Sequence, residues 1–156
     1  MEKKIVIALF VIAAFLLADW GHPLIGYEGP REGWTYILIR ALNRSFWYIL
    51  LPLLVVAFLY NPKDGLAELG LRDGFRTGAG VSLLATLPML LGYGWMANFN
   101  ITLSWESLVL GCVLAALSEE ILFRGFLFGQ LYRRVGLPFL LAALPMALFF
   151  GVGHLY

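Results

Sequence analysis

From Leu108 to Gly125 the chain reads LVLGCVLAALSEEILFRG. The first part of this run is apolar enough for a membrane helix, but two adjacent carboxylates and an arginine interrupt it, namely Glu119, Glu120 and Arg124. An ionisable side chain at the centre of a membrane helix costs roughly 2.5–3.5 kcal/mol on insertion scales, so such groups face protein or trapped water. We therefore expect this helix to lie inside a bundle of other helices.

The composition of the whole chain indicates that lipid surrounds this bundle. The 156 residues are 61% hydrophobic and 13% charged, and their mean hydropathy is +0.83. Soluble domains are nearer half apolar and a quarter charged. A formal net charge of +1 predicts no nucleic-acid partner, and a single cysteine, Cys112, excludes an intrachain disulfide.

Apolar runs near the roughly 20 residues that a bilayer requires recur along the chain. They predict an all-α fold, in which residues 1–156 form one transmembrane helical bundle of about five spans. The predicted spans are 5–20, 34–60, 78–96, 105–132 and 137–156. The first run lacks a small-residue cleavage site after it, which favours an uncleaved helix over a signal peptide. The distribution of lysine and arginine between the connecting segments predicts a cytoplasmic N-terminus.

Helical spacing separates the two carboxylates of the fourth span. Glu120 and Arg124 are at positions i and i+4, share one face and are expected to pair. Glu119 is rotated by about 100° around the helix, which leaves it freer. This division suits one group that handles protons and one structural group. The alternative is a helix-packing ion pair with a spare glutamate.

The fifth span adds an imidazole at a similar depth. Phe150 and His154 are at positions i and i+4 and share a face. The short connection at 133–137 makes the last two spans antiparallel neighbours, and at 1.5 Å per residue Glu119 and His154 lie roughly 21 and 25 Å from that shared end. A carboxylate beside an imidazole can activate water, as in hydrolases. The alternative for His154 is a buried core residue, which is the usual role of a lone histidine in an apolar helix. A zinc site is also possible in principle, because Glu119 and His154 could both be ligands.

These residues resemble the motifs of the CAAX prenyl protease and bacteriocin-processing (CPBP) family of intramembrane endopeptidases, also called the abortive-infection family. The similar stretches are ELGLR at 68–72, Glu119-Glu120-x-x-x-Arg124 and Phe150-x-x-x-His154. The resemblance begins near residue 66 and continues to the C-terminus. Two glutamates followed by an arginine are moderately specific alone, and the order of both motifs on successive spans makes the resemblance stronger.

The resemblance implies a protease whose catalytic cavity lies inside the membrane. In that scheme Glu119 activates the attacking water and His154 assists, while Glu120, Arg124 and Phe150 support the site. The implied substrate is a peptide or a prenylated protein, cleaved in metalloprotease-like chemistry with or without zinc. The implied location is the plasma membrane of a bacterium or archaeon, with the lipid bilayer as the surrounding partner.

One feature departs from the family pattern. A third motif, histidine followed four residues later by asparagine or aspartate, belongs on a later helix, but the sequence ends two residues after His154. The other histidine, His22, lies in the first loop. We therefore expect a chain that lacks the family's C-terminal helices, either as a fragment of a longer protein or as a truncated member that is inactive alone. Two further functions stay open: a non-proteolytic scaffold or bacteriocin-immunity protein of the same fold, and a transporter that uses the acidic pair as a proton path.

Overall fold

The computed structural model describes residues 2–21, 33–72 and 107–155, together with 80, 84, 87–88, 91–96, 98 and 104–105. These residues form helices and no strand, which confirms the all-α prediction for the described part of the chain. In chain order the helices are α1, Glu2–Gly21; α2, Gly33–Leu59; a single turn α3, Gly65–Glu68; α4, 107–135; and α5, Phe139–Gly153. About half of the predicted third span, 78–96, and the loop that carries His22 lie outside the described residues.

Two of the described helices are long and apolar enough to cross a membrane. They are α1, with 20 residues, and α2, with 27 residues. Helix α5 is also apolar but has 15 residues, somewhat fewer than a span perpendicular to the bilayer requires. Length and composition therefore support the first two predicted spans, and the number of five is not confirmed.

Proline and glycine set the irregularities of these helices. In α2 the hydrogen bonding widens from i→i+4 to i→i+5 over Phe46–Leu50, directly before Pro52, whose nitrogen cannot donate to the preceding turn. Helix α4 ends at Gly136, which has φ 80°. Glycine adopts that left-handed conformation without steric cost, and the Leu137 N–H then bonds to the Leu131 carbonyl and closes the helix end.

Helix α4 is wound mostly with i→i+5 hydrogen bonds. Its segments are Ser107–Leu114, Ala115–Glu119, Glu120–Phe128 and Leu131–Val135, and regular i→i+4 bonding is found in Ala115–Glu119 and at 129–130. Wide turns of this kind within helices often occur at functional sites. Here the change in winding falls between the two adjacent glutamates, Glu119 and Glu120.

The core forms where α1, α2, α4 and α5 meet. The ring of Phe15 in α1 lies with its centroid 5.3 Å from that of Phe123 in α4 and 5.0 Å from that of Phe149 in α5. The largest fully buried apolar side chains in the described part of the chain are Val11, Phe15, Pro52, Val56, Leu122, Phe126 and Leu127. This core holds α4, with its two glutamates, against three other helices.

Helices α4 and α5 are antiparallel neighbours, as the short connection predicted. Phe128 lies 5.5 Å from Phe139 near the connection, and Phe123 lies 5.4 Å from Phe150 farther along both helices, each measured between ring centroids. Residue numbers therefore fall along α4 as they rise along α5. This arrangement carries Phe150 to the depth of the glutamate motif.

The ELGLR segment is fastened to the end of α4. Arg134 forms a salt bridge with the Glu68 carboxylate, and its Nε lies 2.9 Å from Glu68 Oε2. The Glu68 carbonyl accepts hydrogen bonds from Gln130 Nε2, at 3.1 Å, and from Arg133 Nη2. Hydrogen bonding to Arg134 lowers the pKa of the Glu68 carboxyl, and the same contact raises the pKa of Arg134. Leu69 is consequently buried, at 3% exposure.

Candidate active site

A cavity of about 450 Å³ lies between α4 and α5. Its charged lining consists of Glu119, Glu120 and Arg124, and its apolar lining includes Phe123, Met146 and Phe150. The volume is within the roughly 300–1,000 Å³ typical of small-molecule and substrate sites. Of the five residues that sequence reasoning selected, four therefore line one cavity: Glu119, Glu120, Arg124 and Phe150.

Glu119 is paired with an arginine from another helix. Arg44 Nη2, in α2, lies 2.5 Å from Glu119 Oε1, and the exposed fractions of the two side chains are 17% and 26%. Sequence reasoning left Glu119 freer than Glu120, and that expectation was wrong. Counting positions along one helix finds only partners on the same helix, whereas Arg44 reaches Glu119 through the packing of α2 against α4.

A serine holds the same guanidinium. Arg44 Nε donates to Ser118 Oγ at 2.6 Å, and Ser118 Oγ donates in turn to the Ala115 carbonyl at 3.0 Å. Ser118 is completely buried, so its hydroxyl needs these partners. Arg44 thus contacts two consecutive side chains of α4, and its position is fixed relative to the glutamate motif.

Glu120 and Arg124 form the pair that their spacing predicted. Arg124 Nη1 lies 2.7 Å from Glu120 Oε2, and the two side chains are 67% and 53% exposed. Both residues also line a second cavity of about 410 Å³ on the other side of α4, between that helix and Leu69, Gly70 and Leu71. This ion pair therefore borders both the cavity beside α5 and the cavity beside the ELGLR segment.

His154 lies just beyond the end of α5 and not in the lining of the cavity described above. Its Nδ1 lies 2.7 Å from the Phe150 carbonyl oxygen, and its ring centroid is 4.2 Å from that of Phe150. Phe150 itself lines the cavity, so the imidazole contacts a residue of the lining and is not part of the lining itself. The structure brings Glu119, Glu120, Arg124 and Phe150 together and places His154 behind Phe150.

The cavity offers two carboxylates as potential metal ligands, Glu119 and Glu120. Catalytic zinc sites use three protein ligands from histidine, cysteine, aspartate or glutamate. Within the described ranges no group of three or more such side chains converges, and both glutamates of the cavity are paired with arginines. The residues within the described ranges do not fit a zinc centre.

Sequence reasoning missed Arg44 and Ser118. A signal existed, because Arg40 and Arg44 lie one turn apart in an otherwise apolar predicted span, and a charge at such a position calls for a partner. The contact with α4 distinguishes the roles of the two arginines. Arg44 binds Glu119, whereas the Arg40 guanidinium lies 5.9 Å from the centroid of the Tyr36 ring.

Apolar helices of spanning length, packed against a helix that carries acidic and basic pairs, are typical of an integral membrane protein. The family model of type II CAAX prenyl endopeptidases, described as Rce1-like, matches residues 100–156. That segment contains all of α4 and α5, so the match confirms the resemblance to the CAAX prenyl protease family through the helices that form the site. No match is found among curated proteins or among solved structures.

Proposed function

We propose that this protein acts as an intramembrane endopeptidase of the CAAX prenyl protease type, in which Glu119 activates the water that hydrolyses a peptide bond. The observation that carries the proposal is the position of Glu119. It lies in the segment that matches the protease family, it lines the cavity between α4 and α5, and one of its oxygens is held by Arg44.

The chemistry follows from general acid–base catalysis. The ionised Glu119 carboxylate accepts a proton from water as the water oxygen attacks the scissile carbonyl carbon, and the proton is then delivered to the leaving nitrogen. The resemblance assigns His154 an assisting role. Its tilted contact with the Phe150 ring keeps the imidazole near the cavity, although His154 is not part of the cavity lining. Glu120 and Arg124 border the site as an ion pair and orient the substrate chain.

The same proposal includes the arrangement in the membrane. We place five spans in a bacterial or archaeal plasma membrane, with the N-terminus in the cytoplasm. Lys4 Nζ, at the start of α1, lies close to Gly136, since a Cβ on that glycine would be 3.1 Å away. The beginning of α1 and the basic end of α4, with Arg133 and Arg134, therefore lie at one end of the bundle. A shared basic end agrees with a cytoplasmic location for both.

A peptidase assay tests the proposal. The full-length version of the protein, with any helix that follows residue 156, is reconstituted in liposomes. It is given a fluorogenic peptide that ends in a farnesylated cysteine and three further residues, with an unprenylated copy for comparison, whereas residues 1–156 alone are expected to be inactive. We expect cleavage by the wild type, loss of at least about 100-fold in Glu119→Gln, since removing a general base costs 10²–10⁴-fold, and full activity in the matched control Glu2→Gln. A wild type that cleaves neither peptide, or an active Glu119→Gln variant, refutes the endopeptidase.

The ion pairs also favour a second function. Pairing of Glu119 with Arg44 and of Glu120 with Arg124 is what a purely structural polar network requires. A non-proteolytic scaffold or bacteriocin-immunity protein of the same fold would keep this network for stability. In that case Glu119→Gln would lower stability and leave protection of cells against the bacteriocin intact in folded molecules, whereas the protease loses its function.

A further inference from the structure

Helix α2 reaches the candidate site through one side chain. Arg44 lies outside the segment that matches the protease family, which begins at residue 100, yet its guanidinium contacts both Ser118 and Glu119. We propose that Arg44 is a positioning residue that holds the Glu119 carboxylate in the orientation needed to receive the proton of the attacking water. This inference rests on the proposed function.

The guanidinium is held from three directions. Its Nη2 binds Glu119 Oε1 at 2.5 Å, its Nε binds Ser118 Oγ at 2.6 Å, and its Cζ lies 5.1 Å from the centroid of the Tyr48 ring. Arginine presents its donors in a rigid planar fork, whereas lysine is a single flexible charge. Two fork contacts with consecutive residues of α4 therefore fix where Arg44 lies and how it is rotated.

This geometry restrains the carboxylate without occupying it fully. An ionised carboxylate has about four acceptor positions on its two oxygens, and the contact with Arg44 Nη2 uses one of them on Oε1. The remaining positions can accept hydrogen bonds from water in the cavity that Glu119 lines. Small displacements of a catalytic group lower rates steeply, by about 100-fold for 1 Å, so the restraint on Glu119 has a kinetic consequence.

The kinetic test compares Arg44→Gln, Arg44→Lys and the control Arg40→Gln in the peptidase assay. Arg40 lies one turn earlier on the same helix and contacts Tyr36, so its loss removes the same charge without touching Glu119. We expect kcat to fall by about 100-fold in Arg44→Gln with KM unchanged. Lysine should restore part of kcat, because it supplies the charge but not the second contact.

A second measurement tests the contact without using activity. Thermal unfolding of Arg44→Gln, Glu119→Gln and the double variant forms a double-mutant cycle, and residues in direct contact should show non-additive shifts. Additive shifts would overturn the contact. Coupled stability with wild-type kcat in Arg44→Gln would overturn the positioning role and leave the protease standing. A wild type without activity would instead refute the proposed function itself.

Ser118→Ala keeps the inference testable if Arg44→Gln does not fold. This change removes the acceptor of Arg44 Nε and leaves the Glu119 contact in place. We expect a loss of kcat of several-fold, smaller than for Arg44→Gln. Full kcat in both Ser118→Ala and Arg44→Lys would contradict the positioning role.

Discussion

Gly125 is where the backbone of the ELGLR segment packs against α4. A Cβ built on Gly125 would lie 2.5 Å from the Leu69 carbonyl oxygen and 3.3 Å from the Leu69 carbonyl carbon. Leu69 cannot withdraw easily, because it is buried and because the preceding Glu68 is held by Gln130, Arg133 and Arg134. The change Gly125→Ala therefore has to displace backbone that is fixed at several points.

The size of the effect follows from two opposing contributions. Overpacking of a close contact costs about 1–3 kcal/mol, while alanine in place of glycine stabilises a helix by about 0.8–1.0 kcal/mol. The second contribution is isolated by Gly92→Ala, since a Cβ on Gly92 meets no described atom within 4 Å. The difference between the two variants should thus equal the overpacking cost, about 1–3 kcal/mol.

Thermal unfolding in detergent micelles measures this difference. For chains of 150–250 residues each kcal/mol shifts Tm by about 2–4 °C, so Gly125→Ala should melt about 2–12 °C below Gly92→Ala. Limited proteolysis should also cut the 61–72 region faster in Gly125→Ala, because Leu69 is pushed off α4. Equal melting temperatures and equal cleavage in the two variants would show that Leu69 does not pack on Gly125.

Two further predictions use the same melting assay. Because the Glu68 pKa is lowered by Arg134, the carboxylate contributes stability above its ordinary pKa of about 4.3 and loses it as pH falls through the lower folded value. The advantage of wild type over Glu68→Gln, under about 1 kcal/mol for a pair whose arginine is 43% exposed, should vanish in acid, and parallel pH curves would contradict this. Gly21→Ala places its Cβ 2.6 Å from the Trp47 ring. Because a side-chain ring can tilt where backbone cannot, we expect a smaller Tm loss than for Gly125→Ala, together with altered tryptophan fluorescence. An unchanged fluorescence spectrum would argue against the contact.

Contacts between residues close in sequence could be predicted because helical geometry determines them. Glu120 and Arg124 pair because four residues make about one turn, and α4 and α5 run antiparallel because a short connection leaves no other course. The prediction that Glu119 is freer than Glu120 failed because its partner, Arg44, is 75 positions away. Periodicity along one helix carries no information about which turn of another helix will face it.

The amino-acid sequence alone determined the apolar helices, the two glutamates within one of them and the motifs shared with a protease family, because these depend on composition and on spacing within single helices. Tertiary structure alone decided that Arg44 and Ser118 secure Glu119, that Leu69 rests on Gly125 and that His154 lies behind Phe150. These outcomes depend on how whole helices pack, which is set by the fit of many side chains at once.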